Sequence, residues 1–217
     1  MGDEYDIVTA NEDDKERMAE FMRQHFLTQS ALSVASGAPP NRRTEEIYGL
    51  RFLSQGKSLL AVSRDDGRIL GLIINYETRS DDKTPEDYLN CLSHEAYTKI
   101  EDFVHHLESA VDIWKLTGTE RAFYVNILSV DTATRGRGIA KVLMERSRDM
   151  ARSMGYPMMW IICTSIYSIR ICRNMGMDAV YTLPFSEYKD EDGEVIFNIP
   201  YPHTEAVLFV QKLNPER

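Results

Sequence analysis

The stretch that decides the fold lies at residues 129–140 and reads SVDTATRGRGIA. It joins the end of an apolar strand to the start of an amphipathic helix, and Gly136 and Gly138 lie where the backbone has to turn tightly. Arg135 and Arg137 flank these glycines. The first turn of a helix offers backbone amides without intrahelical acceptors, together with the positive end of the helix dipole. Because both features favour an anion, the sequence predicts a phosphate or diphosphate site at this junction.

The composition is that of an ordinary globular protein. The chain has 217 residues, of which 43% are hydrophobic and 27% charged, and its net charge is −9. This length can bury a full core in one domain, and apolar runs such as residues 158–163 are too short to span a bilayer. The acidic balance argues against nucleic acid and against anionic membranes as partners. We therefore expect a single domain over residues 1–217, with a small molecule as its partner.

The ends and cysteines of the chain indicate a compartment. The N-terminus has no basic segment followed by an apolar run, so we expect no secretory signal. Cys91, Cys163 and Cys172 are an odd number without the spacing of metal ligands. We interpret them as small, reduced core residues. These features predict a cytoplasmic protein without a bound metal.

Hydrophobic periodicity predicts one mixed α/β sheet. A first helix follows a cap at Asn11, and a loop is expected over residues 33–41. The segment 121–163 is a strand–helix–strand unit, so its two strands should be parallel with a right-handed crossover. The expected strands are residues 5–8, 58–64, 68–79, 121–131, 158–163, 180–188 and 204–213. The further expected helices are residues 44–54, 86–116 with a break near Ser93, 138–154 and 166–174.

Two common phosphate loops do not fit the glycine turn. A Walker loop requires Lys and then Ser or Thr after its last glycine, whereas Ile139 and Ala140 follow Gly138. A dinucleotide loop requires a third glycine, where this chain has Lys141. The remaining pattern, Arg-x-x-Gly-x-Ala at residues 135–140, resembles the diphosphate loop of the GNAT superfamily of N-acetyltransferases. The alternative is ordinary turn chemistry with solvated arginines, but the position of the loop and the motifs after it favour the phosphate.

The resemblance is closer to the insect arylalkylamine N-acetyltransferases. It rests on LSVD at residues 128–131, RGRGIA at 135–140, CTSIYS at 163–168 and PHT at 202–204. The first third of the chain resembles that family only in the order of its elements. The resemblance implies a GNAT-like central sheet of about seven strands flanked by helices, with the cofactor-binding core over about residues 121–177. It also implies an enzyme that transfers acetyl from acetyl-CoA directly to a small primary amine, an arylalkylamine, in a ternary complex.

The resemblance also assigns cofactor-binding residues. The main chain of Leu128 and Val130 would pair with the pantetheine arm of acetyl-CoA, and an amide near Leu128 would polarise the thioester carbonyl. Amides from Arg135 to Lys141 would hold the diphosphate, and arginine or lysine side chains there could add charge-assisted contacts. The complete expected set is Leu128, Ser129, Val130, Arg135, Gly136, Arg137, Gly138, Ile139, Ala140, Lys141, Ser165 and Ser168.

The proton donor to the leaving thiolate is expected at the start of the next helix. Insect relatives carry serines at the positions that match Thr164 and Ser168, while the Tyr usual in the wider superfamily is replaced by Cys172. We expect Ser168 to be this proton donor, with Tyr167 as the second candidate and Thr164 as a further catalytic residue. The alternative is that Ser168 only contacts backbone at the start of its helix.

The general base is missing from its expected position. The resemblance implies a Glu after the first helix, but Ser30 lies near that position, and a serine cannot accept a proton near neutral pH. His203 is a candidate because histidine titrates in the useful range, with a structural role as the alternative. The expected aromatic wall of the acceptor pocket is Phe21, Phe26, Tyr181, Phe185 and Tyr201.

Two other functions stay open from the sequence. One is an acyltransferase for a polyamine, a hydrazine-like amine or a protein amine. The other is an inert protein that binds acetyl-CoA without turnover. For either function the protein is expected to be a monomer or a weak dimer.

Overall fold

A seven-stranded sheet forms the centre of the protein in the computed structural model, which describes residues 4–37, 49–82 and 95–213. The strand order is β1-β2-β3-β4-β5-β7-β6, and of the neighbouring pairs only β4 and β5 run parallel. The predicted mixed sheet with seven strands is confirmed. The strands are β1 (Tyr5–Thr9), β2 (Leu59–Ser63), β3 (Ile69–Arg79), β4 (Arg121–Val130), β5 (Met158–Cys163), β6 (Asp178–Pro184) and β7 (Glu205–Lys212).

Helices cover both faces of this sheet. One face packs against α5 and α6 through residues such as Leu143 and Ile169, and the other packs against α1 and α3 through Met22 and Phe103. In the described part of the chain, no helix is long and apolar enough to cross a membrane. The helices are α1 (Lys15–Met22), α2 (Ala31–Ser36), α3 (Glu95–Ser109), α4 (Ile113–Thr117), α5 (Ile139–Ser153) and α6 (Ile166–Asn174).

Two expected elements differ from the structure because of local caps. The expected loop over residues 33–41 begins with helix α2, whose first turn is capped by Ser30 and which ends at Gly37 with φ of 67°. The expected long helix breaks after Ser109, and Asp112 starts α4 by accepting a hydrogen bond from the Lys115 amide at 2.9 Å. The expected break near Ser93, Cys91 and residues 44–48 of the helix expected at 44–54 lie outside the described residues. The described part of that helix is the 3₁₀ turn Leu50–Gln55.

The parallel pair β4 and β5 separates after a short contact. Register pairing covers only three positions, which end at Val125 opposite Ile161. The next residue, Asn126, is a β-bulge, because Ile74 of β3 pairs with Ile127 while Asn75 pairs with Val125. A bulge bends its strand and increases the local twist. The second half of β4, residues 126–130, therefore keeps β3 on one side and has an open edge on the other.

Candidate active site

A large cleft opens where β4 and β5 separate. Its volume is about 2160 Å³, and its walls include Leu128, Gly138 and Ser168. Pockets for a single small molecule usually measure about 300–1,000 Å³. This cleft therefore has room for a large cofactor and a second substrate.

The open edge of β4 presents two residues to the cleft. The Asp131 amide donates to the Leu70 carbonyl at 2.9 Å, so Asp131 faces β3. In an antiparallel strand, the backbone groups of successive residues point alternately towards and away from the partner strand. The backbone groups of Ser129 and Ile127 therefore also face β3. The amide and carbonyl groups of Leu128 and Val130 then face the open edge. This is the geometry that an extended pantetheine arm needs for main-chain pairing.

The start of α5 has the geometry of an anion site. Gly136 and Gly138 have φ of 82° and 79°, a region that side chains rarely adopt, and a Cβ on either would face open space. The first hydrogen bond of the helix runs from the Val142 amide to the Gly138 carbonyl at 3.0 Å. The amides of Ile139, Ala140 and Lys141 precede that bond and have no intrahelical acceptor. The residues present therefore fit a diphosphate, as the glycine pattern predicted.

Only some of the expected cationic side chains lie at the cleft. Arg135 lines it and donates from Nη2 to Oε1 of Gln29 at 2.9 Å, and Lys141 also lines it. The Arg137 guanidinium instead pairs with Glu4 at 2.6 Å and does not line the cleft. In this structure the Arg137 side chain therefore points to Glu4 rather than into the cleft.

Side-chain contacts hold the end of β4 in place. Ser129 Oγ donates to the His25 carbonyl at 3.0 Å, so its hydroxyl ties β4 to the π-helical turn Arg23–Leu27. The buried Asp131 carboxylate pairs with Arg68 at 2.8 Å and accepts the Ala133 amide at 2.9 Å. π-helical turns inside helices occur frequently at functional sites. His25 itself lines the cleft, although helical periodicity gave it no such role.

The start of α6 places the expected catalytic hydroxyls at the cleft. Thr164, Ser165, Tyr167 and Ser168 all line it. Ser165 caps α6 by accepting the Ser168 amide at 3.2 Å. Ser168 Oγ donates to the Ser165 carbonyl at 3.0 Å, so the backbone contact considered as an alternative is present. Ser168 Oγ also lies 3.2 Å from Ser165 Oγ, and the Tyr167 side chain is largely exposed.

Contacts at the start of α6 fix one tautomer of the His203 ring. Its Nδ1 accepts the Ile166 amide at 3.2 Å, and its ring packs edge-on against Tyr167 at 5.6 Å. Burial lowers the pKa of His203 below its usual value, which keeps the ring neutral. The Nε2 atom then carries the proton, so this ring cannot accept another one while it holds the Ile166 amide. The geometry favours the structural role for His203.

The expected position of the general base holds no carboxylate. Ser30 Oγ accepts the Ser33 amide at 3.2 Å and donates to Ser33 Oγ at 2.6 Å, so it serves as a helix cap. A serine in this position holds α2 in place but does not accept a proton from a substrate amine.

The aromatic wall of the cleft differs from the expected one. Phe21 and Phe185 are buried in the core, Tyr201 is 91% exposed, and of the expected residues only Phe26 lines the cleft. Tyr181 packs in the core between β6 and its neighbours. The observed wall consists of four aromatic side chains in a row. Tyr76, Tyr124 and Trp160 lie at neighbouring positions of β3, β4 and β5, and Phe52 lies in the turn before β2.

The rings of this wall contact one another. Tyr76 stacks on Phe52 at 4.1 Å and meets Tyr124 edge-on at 5.1 Å, and Tyr124 stacks on Trp160 at 4.1 Å. Sheet register explains the row, because Tyr76 lies opposite Tyr124 and Tyr124 opposite Trp160. An extended aromatic surface of this kind suits a flat ring or a cationic group.

Comparison with known proteins identifies the fold. No protein-family model matches the chain. The structure is similar to arylalkylamine N-acetyltransferase 2 from Aedes aegypti, with 26% identity, a TM-score of 0.90, and coverage of 97% of this chain and 99% of that one. It is also similar to a Drosophila melanogaster polyamine N-acetyltransferase that forms N-acetylagmatine, with 24% identity, a TM-score of 0.80, and coverage of 96% and 100%.

A third similar structure contains the cofactor. It is a GNAT protein from Arabidopsis thaliana in complex with acetyl-CoA, with 18% identity, a TM-score of 0.57, and coverage of 97% of this chain and 99% of that one. The expected GNAT fold and the resemblance to insect arylalkylamine N-acetyltransferases and related enzymes are confirmed. This likeness supports an acyltransferase.

The neutral state of His203 predicts a pH-dependent contribution to stability. A histidine whose folded pKa lies below its unfolded value of about 6.5 opposes folding once the pH falls below that value. His203→Asn keeps an acceptor for the Ile166 amide but does not titrate. We expect the melting temperature of the wild type to fall relative to the variant between pH 7.5 and pH 5.5. A difference that stays constant over this range would contradict the assigned tautomer.

Proposed function

We propose that this protein transfers the acetyl group of acetyl-CoA to the primary amine of a small acceptor within a ternary complex. The observation that carries the proposal is the open edge of β4, at Leu128 and Val130, next to the unpaired amides at the start of α5. This pair of features fits the two halves of one ligand, an extended amide-bearing arm and a diphosphate. The aromatic wall supports an arylalkylamine as the acceptor, because a flat ring packs well on such a surface.

The proposed chemistry depends mainly on positioning. Amides from Gly136 to Lys141 and the α5 dipole bind the diphosphate, while Arg135 adds positive charge. Main-chain groups of Leu128 and Val130 orient the arm, and the Leu128 amide donates to the thioester oxygen as negative charge develops there. The neutral amine attacks the carbonyl carbon, the new C–N bond forms, and the C–S bond breaks. Holding both reactants in line removes much of the entropic barrier.

Ser168 is the proposed proton donor to the leaving thiolate. In the structure its proton points to the neutral Ser165 carbonyl at 3.0 Å. A thiolate is charged and is therefore the stronger acceptor, so the hydroxyl turns towards it as the C–S bond breaks. Thr164 and Tyr167 line the same wall and are the further candidates. The amine loses its proton through water in the cleft, because Ser30 offers no base, and that proton restores the Ser168 hydroxyl.

Two measurements test the proposal. One is turnover in a free-thiol assay, and the other is the acetyl-CoA affinity of two glycine variants, of which the second is the control. Gly138→Val adds a side chain where the diphosphate is proposed to lie, and Gly155→Val adds the same strain, at φ of 70°, at the other end of α5. We expect the first variant to bind acetyl-CoA at least about tenfold more weakly, a loss of about 1.4 kcal/mol, and the second to bind like the wild type. Equal affinities in the two variants, or a wild type that releases no thiol with any amine, would contradict the proposal.

Removal of the Ser168 hydroxyl separates catalysis from binding. We expect Ser168→Ala to lower kcat by about a hundredfold, the usual contribution of a placed acid, with acetyl-CoA affinity unchanged. Ser153→Ala is the control, because Ser153 makes the same kind of bond to a helix carbonyl, at 2.8 Å, away from the cleft. Unchanged kcat in Ser168→Ala would leave that residue with the structural role only.

A further inference from the structure

The proposed reaction needs a proton acceptor for the amine. A primary alkylamine is protonated near neutral pH, and one proton has to leave before its nitrogen can attack. Ser30 is a helix cap, and His203 already accepts a backbone amide, so neither takes this proton. Two other histidines, His25 and His105, line the cleft. In the described part of the chain, only His25 of this pair has a carboxylate at ion-pair distance.

The His25 ring is held beside the end of β4. His25 lies in the π-helical turn Arg23–Leu27, and its ring packs against that of Phe21 with 4.6 Å between the centroids. The His25 carbonyl accepts the Ser129 hydroxyl at 3.0 Å, and Ser129 directly follows Leu128, where the thioester carbonyl is proposed to lie. The His25 side chain is 18% exposed and borders the cleft. The ring therefore lies near the proposed reaction, and water in the cleft can contact it.

A buried carboxylate faces one nitrogen of this ring. His25 Nδ1 is buried, lies 3.8 Å from Asp131 Oδ1 and makes no hydrogen bond within residues 4–37, 49–82 and 95–213. The Asp131 side chain is 9% exposed, and its Oδ2 atom pairs with Arg68 at 2.8 Å. Because Nδ1 and Nε2 point in nearly opposite directions, a proton on Nδ1 next to Asp131 leaves the Nε2 lone pair to accept another. Asp131 attracts the positive charge that the ring then acquires.

We propose that His25 is the proton acceptor of the reaction, that it acts at Nε2 through a bridging water, and that Asp131 is its positioning residue. This inference rests on the proposed function and supplies its general base. The ammonium nitrogen gives a proton to the water, which gives one of its own to Nε2, and the imidazolium later releases it to solvent. The neutral amine then attacks the thioester. Its second proton, lost as the C–N bond forms, is the one that restores the Ser168 hydroxyl.

Two acceptors of similar shape but different basicity test this assignment. They are 2-phenylethylamine and 2,2-difluoro-2-phenylethylamine, each at neutral pH with saturating acetyl-CoA. The two fluorines withdraw electrons and lower the pKa of the amine, so much more of this acceptor is neutral without a base. We expect His25→Gln to lower kcat/KM for 2-phenylethylamine by about a hundredfold, the usual contribution of a placed base, and for the fluorinated amine by less than about fivefold.

Three controls distinguish proton transfer from a structural role. His105→Gln removes the other histidine that borders the cleft without a carboxylate at ion-pair distance in the described residues, and both rates should remain those of the wild type. The acetyl-CoA affinity of His25→Gln, measured by calorimetry, should also be that of the wild type. Added imidazole should raise the rate of His25→Ala with 2-phenylethylamine but not that of Ser168→Ala, because it replaces only the missing ring. Retained activity of His25→Gln with the fluorinated amine shows that this variant is folded.

The outcomes separate this inference from the proposed function. If the wild type acetylates 2-phenylethylamine but His25→Gln lowers both rates by the same factor, or lowers neither, the role of His25 is wrong and the acetyltransferase stands. The role is equally wrong if the loss that depends on amine basicity appears in His105→Gln instead. If the wild type releases no thiol with any amine, the proposed function fails, and the proton acceptor fails with it.

Discussion

The separation of β4 from β5 after Val125 is the constraint on which the site depends. Two parallel strands that stayed paired would satisfy each other's backbone groups and leave nothing for a ligand. The bulge at Asn126 bends β4 away, and the amide and carbonyl groups of Leu128 and Val130 are left at an open edge. An open edge is ordinarily a liability for a sheet, because it invites pairing with another chain. Here it lies inside a cleft, where an extended ligand can pair with it.

The glycine turn determines what lies next to that edge. Positive φ at Gly136 and Gly138 turns the chain directly from β4 into α5, so the unpaired amides of the helix face the same cleft. Gly71 of β3 sets the distance between the helix and the sheet, because a Cβ there would lie 3.0 Å from Ile139 Cγ2 and 3.2 Å from the Ser129 carbonyl. Backbone geometry therefore holds the strand edge and the helix start at fixed positions, and few cationic side chains are needed to bind the diphosphate. Consistent with this, Arg137 turns away to Glu4.

Local patterns were sufficient to predict the elements of the site but not its acceptor wall. The limits of β5 and α6 were predicted to the residue, because an unbroken apolar run and a short helix ending near Gly176 are both local signals. The row of Tyr76, Tyr124 and Trp160 depends on register between three strands that are distant in sequence, so periodicity within one strand could not predict it. Asp112 was missed as a cap because the residues on both sides of it continue a helical pattern.

Residue-resolved amide hydrogen exchange detects whether acetyl-CoA pairs with the open edge of β4. Ile127 and Ser129 face β3, whereas Leu128 and Val130 face the cleft. With saturating acetyl-CoA, we expect strongly slowed exchange at the amides of Leu128 and Val130 and a much smaller change at the two residues that are already paired. Unchanged exchange at Leu128 and Val130, in protein shown to be folded, would contradict it.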